Sequence, residues 1–200
     1  MIKPFTLVML LTLAANAQFV SVSGGGVVTQ GHTSSTTLGT ARADFDRSAI
    51  VAVDAGLPIF PFVTGGVHYS YSRPELSLFR GDAFGSRATV RLQANTLAFE
   101  ARVHTPQFSG WRLYGLAGVG LTRFGLDVKQ QVEVPFPGGA PNSVTSPVFT
   151  YGGGVERKVL PLVRLKLEVR DYVTGLSERF FTSGGTFHRT AVLGGVVFGR

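Results

Sequence analysis

Residues Val163 to Val173 read V-R-L-K-L-E-V-R-D-Y-V. Val163, Leu165, Leu167 and Val169 fall on one face, and Arg164, Lys166, Glu168 and Arg170 on the other. A period of two is that of a β-strand. One face is aliphatic and the other charged, a contrast that leaves two architectures. A soluble sheet lays the aliphatic face on a core. A membrane barrel turns it toward lipid and lines its interior with the charges.

The bulk of the chain favours the second arrangement. Charged residues make up 16% of it and glycine 26 of 200 residues, against roughly 25% charged residues in ordinary globular domains. Mean hydropathy is +0.22. Beyond the N-terminus, no run approaches the about 18 consecutive apolar residues of a membrane helix. Hydrophobicity is spread instead over alternating segments.

Lys3, the apolar run Phe5 to Ala14 and the triplet Ala15-Asn16-Ala17 have the form of a secretory signal with an A-x-A cleavage site. Residues 1–17 are therefore expected to be a signal peptide, and 18–200 one barrel domain. The net charge of +7 could suggest nucleic acid. Export argues against that, and the charges divide among strand faces and loops without forming a stripe. The chain has no cysteine, so neither disulfides nor thiolate sites are available.

Eight strands are predicted after the signal: Phe19 to Val28, Phe45 to Leu57, Phe62 to Ser72, Thr89 to Val103, Trp111 to Leu126, Val148 to Lys158, Val163 to Val173 and Arg189 to Phe198. Each is near or above the about 9–11 residues a tilted strand needs to cross a bilayer. Within the fourth, Val90, Leu92 and Ala94 share one phase and Leu97, Phe99, Ala101 and Val103 the other. A bulge at Asn95-Thr96, or a displaced boundary, would reconcile them.

Connections alternate in length. Short ones are expected around Pro58-Ile59, at His104 to Gly110 and at Val159 to Leu162. Long ones cover Thr29 to Asp44, Arg73 to Ala88, Asp127 to Pro147 and Thr174 to His188. Short periplasmic turns alternating with longer external loops are the pattern of an outer-membrane barrel. Aromatics add two girdles: Phe60, Phe62, Phe108, Trp111 and Phe198 at one end, and Phe45, Tyr69, Tyr71, Phe124, Phe149 and Tyr151 at the other. Glycines recurring inside strands would allow tight curvature and leave room for long interior side chains. The fold expected is all-β: an eight-stranded antiparallel transmembrane β-barrel, an up-and-down meander.

The stretch Tyr151 to Tyr172, Y-G-G-G-V-E-R-K-V-L-P-L-V-R-L-K-L-E-V-R-D-Y, resembles the OmpA-like outer membrane β-barrel family. Members pair a Gly-rich strand carrying G-x-E with a strand ending like L-x-x-E-x-R. Gly154, Glu156, Leu165, Glu168 and Arg170 match that pattern. The resemblance implies a small barrel in the cell outer membrane of a Gram-negative-type envelope, without the family's peptidoglycan-binding domain. It also implies the barrel-assembly machinery as a partner. Members end on an aromatic residue that this machinery reads, whereas here Phe198 is followed by Gly199 and Arg200.

Facing parity places Glu156, Arg164, Lys166, Glu168, Arg170 and Arg112 in the lumen, joined by Glu100, Arg102 and Asp54. An eight-stranded barrel is only wide enough for side chains to fill. Such charges must then pair, which reads as a structural plug; the alternative is a narrow ion path or gate. His68-x-Ser70, with Glu75 and Asp82 downstream, has the residue types of lipid A deacylases. The shared face of His68 and Ser70 is the lumen, however, so a polar lining is the simpler reading. His32, His104 and His188 stand singly, without metal-ligand spacing, and are expected to be solvated.

Arginines along the expected outer rim, Arg73, Arg80 and Arg87 among them, could meet lipopolysaccharide phosphates. The expectation is a monomeric, non-enzymatic surface or structural barrel with no catalytic, metal or cofactor site. Its partners would be outer-membrane lipid and lipopolysaccharide. The competing readings are a narrow pore, a lipid A-modifying enzyme and a secreted soluble β-barrel carrier.

Overall fold

The computed structural model describes residues 18–29, 32–36, 39–45, 47–80, 87–126, 143–175 and 186–199. These form eleven antiparallel strands: β1 Phe19–Thr29, β2 His32–Thr36, β3 Gly39–Phe45, β4 Ser48–Phe60, β5 Val63–Ser72, β6 Glu75–Arg80, β7 Arg87–His104, β8 Trp111–Leu126, β9 Ser143–Leu160, β10 Val163–Gly175 and β11 Thr186–Gly199. Eight of them close on one another in the order β1-β4-β5-β7-β8-β9-β10-β11. β11 pairs back onto β1, and β7 pairs with β8. The protein is an eight-stranded antiparallel β-barrel.

The other three strands lie where the sequence predicts loops. β3 pairs with β6, prolonging the β4–β5 ladder beyond the barrel wall. β6 pairs with the first residues of β7, and β2 with β3. A four-stranded ribbon thus rises from one end. β2 reads H-T-S-S-T with no apolar residue, and the alternation in β3 and β6 spans only 7 and 6 residues, too short to stand out from a loop. Phe45, predicted within the second barrel strand, belongs to this ribbon. β9 starts five residues before the predicted Val148 and runs through Pro147. That proline lies one residue beyond the last β10 pair, Thr174 with Val148, where one side of the strand has no ladder to complete.

The other end carries short turns. The chain does not reverse at Pro58-Ile59, as predicted. It continues to Phe60 and turns at Pro61-Phe62, and the β9–β10 hairpin turns likewise at Pro161-Leu162. Each hairpin carries a register shift beside its turn. The β7–β8 turn uses left-handed backbone at Ser109 (φ 49°) and Gly110 (φ 83°) between the bridged pair Phe108 and Trp111. Two successive positive φ angles give the twist that suits a tight hairpin.

No bulge interrupts β7. Its register with β5 and β8 is regular through Asn95 and Thr96. Ala94, Thr96, Ala98, Glu100 and Arg102 all turn inward and are buried. The apparent change of phase arises because Val90, Leu92 and Ala94 are apolar at the parity that later carries Thr96, Glu100 and Arg102; Val90 pairs with Leu76 of the ribbon, and the β5 ladder begins at Ala94.

The wall is inverted relative to a soluble protein. Its outer surface exposes Val22, Val51, Val53, Leu97, Phe99, Val119, Leu121, Leu165, Leu167, Val169 and Val192. Phe60, Phe62, Phe108, Trp111 and Phe198 are exposed at the short-turn end, and Phe149 and Tyr151 toward the ribbon end. Tyr69 and Tyr71 also face outward. Phe124 does not belong to that girdle; its ring lies 5.3 Å from the buried Arg189 guanidinium, inside the barrel. The Phe45 side chain lies outside the described residues.

Inward glycines make space for long neighbours. A Cβ on Gly154 would stand 2.6 Å from the Tyr114 hydroxyl, and one on Gly118 would stand 2.6 Å from Glu100 Cγ. Overpacking of this kind costs about 1–3 kcal/mol. Gly154→Val and Gly118→Val should each lower stability by about that amount in urea unfolding of the folded barrel in detergent, whereas Gly26→Val, where a Cβ meets open space, should not.

Candidate functional site

The lumen is filled in layers. Its centre is Asp54 on β4, a carboxylate 1% exposed. Oδ1 lies 2.7 Å from His68 Nδ1 and 2.6 Å from Arg102 Nη2. Oδ2 accepts from Ser21 Oγ at 2.5 Å and Lys166 Nζ at 2.7 Å. These partners come from β5, β7, β1 and β10, so one carboxylate ties four other strands together.

Two further carboxylates join it. Glu168 accepts from Arg170 Nε at 2.8 Å and from the Tyr114 hydroxyl at 2.6 Å. Glu100 accepts from Arg170 Nη1 at 2.5 Å and Thr150 Oγ1 at 3.1 Å. Arg170 also approaches Asp54 at 3.5 Å, and Lys166 approaches Glu168 at 3.5 Å. Three anions and three cations therefore interlock with almost no water contact.

A second, looser group lies toward the short-turn end. Arg112 Nη2 donates to Glu156 Oε2 at 2.6 Å. Arg164 Nε lies 3.0 Å from the same oxygen, an ion pair without hydrogen-bond alignment. The Arg112 and Arg164 side chains are 26% and 13% exposed. Glu100, Arg102, Arg112, Glu156, Arg164, Lys166, Glu168 and Arg170 all occupy the lumen in these two clusters.

Toward the ribbon end the lumen becomes apolar. Val27, Ile50, Ala52, Val148, Tyr172, Ala191 and Leu193 form one buried cluster. Beyond it lies Arg189, the first residue of the eighth predicted strand, 2% exposed and interior. It donates to Thr96 and Thr122, and its guanidinium lies 5.1 Å from the Tyr172 ring centre. Burial excludes water from both faces of the cation, and the ring supplies part of the compensation. The parity of Arg189, Ala191 and Leu193 on one face of β11 is the sequence signal for both features.

His68 and Ser70 face the lumen, but no catalytic pairing forms between them. His68 gives Nδ1 to Asp54 and has Nε2 3.0 Å from the Tyr172 hydroxyl, so both ring nitrogens are engaged. The Glu75 side chain and Asp82 lie outside the described residues, as does the His32 side chain. Two other histidines depart from the solvated reading. His104 ends β7 inside the barrel, with Nε2 3.0 Å from Thr64 Oγ1. His188 pairs with Asp171 through Nδ1 at 2.7 Å on the outer wall. Each sits at a strand end, where sequence alone does not separate strand from loop.

Among the described residues, Asp54, His68 and Glu100 bring possible ligand atoms within 4.8 Å of one another. Their negative charge is already met by Arg102, Lys166 and Arg170, which a metal cation would have to displace.

Arg73, Arg80 and Arg87 belong to the β5–β6–β7 region at the ribbon end. Arg73 sits at the root, where its Nε donates to the Tyr71 hydroxyl and its guanidinium lies 5.4 Å from that ring centre. Arg80 closes β6 and Arg87 opens β7, opposite Phe79. The side chains of Arg80 and Arg87 lie outside the described residues.

Removing one partner of a fully buried ionic cluster costs about 3–5 kcal/mol, because a charge is left uncompensated. Asp54→Ala and Glu168→Ala should each lose about that much in equilibrium unfolding. Arg112→Ala should lose less than about 1 kcal/mol, because partly exposed pairs are weak and Arg164 remains beside Glu156. Losses under about half a kcal/mol for both acidic variants would mean that water solvates the lumen.

No protein-family model matches the sequence, and no curated protein matches it. Solved structures do. The crystal structure of Neisserial surface protein A superposes with a TM-score of 0.57 at 16% identity, covering 92% of this chain and 98% of that one. The outer membrane protein OprG from Pseudomonas aeruginosa gives a TM-score of 0.56 at 10% identity, covering 91% and 95%. At such identities the likeness is one of fold. The chain has the fold of the small eight-stranded outer-membrane barrels.

Proposed function

We propose that this chain is an outer-membrane β-barrel protein with a structural or surface-interaction role, exported by a signal peptide over residues 1–17 and folded by the barrel-assembly machinery. The observation that carries the reading is the inverted wall: Leu165, Leu167 and Val169 are about half exposed on the outside while Lys166, Glu168 and Arg170 are buried within. Aliphatic surface on that scale, wrapped around a polar interior, suits hydrocarbon and not water. A secreted soluble carrier would need the opposite orientation of β10.

In this reading the short turns face the periplasm and the ribbon faces outward. The barrel is a monomer with neither cofactor nor catalytic role. The engagement of both His68 nitrogens supports the latter. The lumen is closed twice, by the interlocked charges around Asp54 and by the apolar layer around Leu193. Open conduction would require both layers to separate. The rim arginines Arg73, Arg80 and Arg87 contact lipopolysaccharide phosphates, for which a planar guanidinium is the suitable donor.

Two measurements test this. The protein should partition with membranes and show heat-modifiable gel migration, and it should give little or no conductance in planar bilayers. Steady ohmic conductance would replace the closed barrel with a pore, while a soluble monomer without detergent would remove the membrane reading. Separately, changing Arg73, Arg80 and Arg87 together to Gln should weaken lipopolysaccharide binding and flatten its salt dependence without unfolding the barrel. Unchanged binding would move the contact elsewhere.

A further inference from the structure

One polar cluster faces the wrong way for a barrel wall. On β10 the outward series Leu165, Leu167, Val169 continues to Asp171. Its ladder neighbours are Tyr151 on β9 and Thr190 on β11. Asp171 Oδ2 accepts from the Tyr151 hydroxyl at 2.9 Å and lies 2.7 Å from His188 Nδ1. Oδ1 accepts from Thr190 Oγ1 at 3.2 Å. A carboxylate facing lipid is costly, and here three side chains from two flanking strands compensate it.

The cluster sits at the boundary of the apolar belt. Val169, the preceding outward residue, is 51% exposed, and Phe149 and Tyr151 beside the cluster are 46% and 44% exposed. This is the depth at which acyl chains give way to headgroups. Tyr151, Gly152, Val169, Asp171, His188 and Thr190 line an open hollow of about 440 Å³. Gly153, the outward residue opposite Val169, leaves the wall bare beneath it.

Within the hollow the hydrogen-bonding capacity is unequal. Asp171 is occupied by three donors. His188 is about one-third exposed and turns Nδ1 to that carboxylate. Its Nε2 has no partner among the described residues. In the neutral imidazole held in this way, with Nδ1–H donated to Asp171, the Nε2 lone pair is an oriented acceptor.

We propose that this hollow binds the headgroup of an outer-leaflet amphiphile, whose O–H or N–H donates to His188 Nε2 while its acyl chain lies along Val169 and Gly153. Asp171 is the positioning residue that fixes the ring. The donor can come from a sugar hydroxyl of a glycolipid or from the ammonium of an ethanolamine phospholipid. The inference rests on the outer-membrane reading, because only that orientation brings the outer leaflet to the cluster.

The test places the folded barrel in nanodiscs of phosphatidylcholine, whose headgroup has no N–H or O–H donor. Parallel samples contain added phosphatidylethanolamine or added lipopolysaccharide. Two signals are read: the ¹⁵N shift of His188 Nε2, and lipid retained in native mass spectrometry. A donor lipid should move the resonance and be retained, and the sample with the larger effect identifies the source. His188→Ala and Asp171→Asn should reduce retention by roughly fivefold or more, the scale of one lost hydrogen bond. His188→Leu, which keeps much of the bulk but offers no acceptor, controls for packing and should behave like His188→Ala. Equal behaviour in phosphatidylcholine alone, or retention untouched by His188→Ala in a barrel that still shows heat-modifiable migration, overturns the site. A barrel that enters no bilayer overturns the membrane reading and the site with it.

Discussion

A carboxylate withdrawn from water must be met by charge and by donors, and Asp54 imposes that requirement at the centre of the barrel. An isolated buried ion costs several kcal/mol, a large share of a typical domain's net stability of about 5–15 kcal/mol. Arg102, Lys166, His68 and Ser21 all converge on this one side chain. The strand positions follow from the geometry of that convergence. So does the glycine distribution, because Gly118 and Gly154 stand where Glu100 and Tyr114 need the space. The looser Arg112–Glu156–Arg164 group can remain partly wet because it lies at the mouth, where water shares the solvation.

The molecule meets two solvents with reversed polarity. Outside, exposed aliphatic side chains form a surface suited to hydrocarbon, with no polar group to satisfy along most of the wall. Inside, polarity is graded. Paired charges occupy the middle, an apolar layer of Val27, Ile50, Val148 and Leu193 follows, and Arg189 lies beyond it between two aromatic rings. The apolar layer replaces water with dispersion contacts, and the ionic layer replaces it with hydrogen bonds. Both fill the interior, but only the ionic one fixes which wall faces which.

Much of this was legible from period-two alternation. Leu165 and Lys166 declare their faces in sequence because aliphatic and charged residues are maximally unlike. Strand parity also located Glu100, Arg102, Glu156 and Arg170 inside. Alternation fails where both faces share one character or where it is too brief. Of the ribbon strands, β2 has no apolar residue, and β3 and β6 alternate over only 7 and 6 residues, so they read as loops. Ala94 and Ala191 are apolar on the interior face and blur the phase. Nor does parity reveal partners. Asp54 is one of several acidic residues in the sequence, and its central position follows from closure of the sheet. Asp171 and His188 are likewise separated by seventeen residues, and only the β10–β11 register brings them into contact.

The pairs that fill the lumen are remote in sequence. Lys166 and Asp54 are 112 residues apart, Lys166 and Ser21 are 145 apart, and His68 and Tyr172 are 104 apart. No hairpin can satisfy these groups by itself. A partly assembled, still open sheet would carry Asp54, Glu168 and Arg170 unpaired along one face, where they need water. Pairing of β1 with β11 is then the event that both expels that water and neutralises the charges. Long-range closure of this kind is slow, because loop-closure entropy is lost before the contacts form. The interior charges therefore act as a check on assembly: a barrel closed in the wrong register would trap unpaired ions, and its penalty would favour reopening.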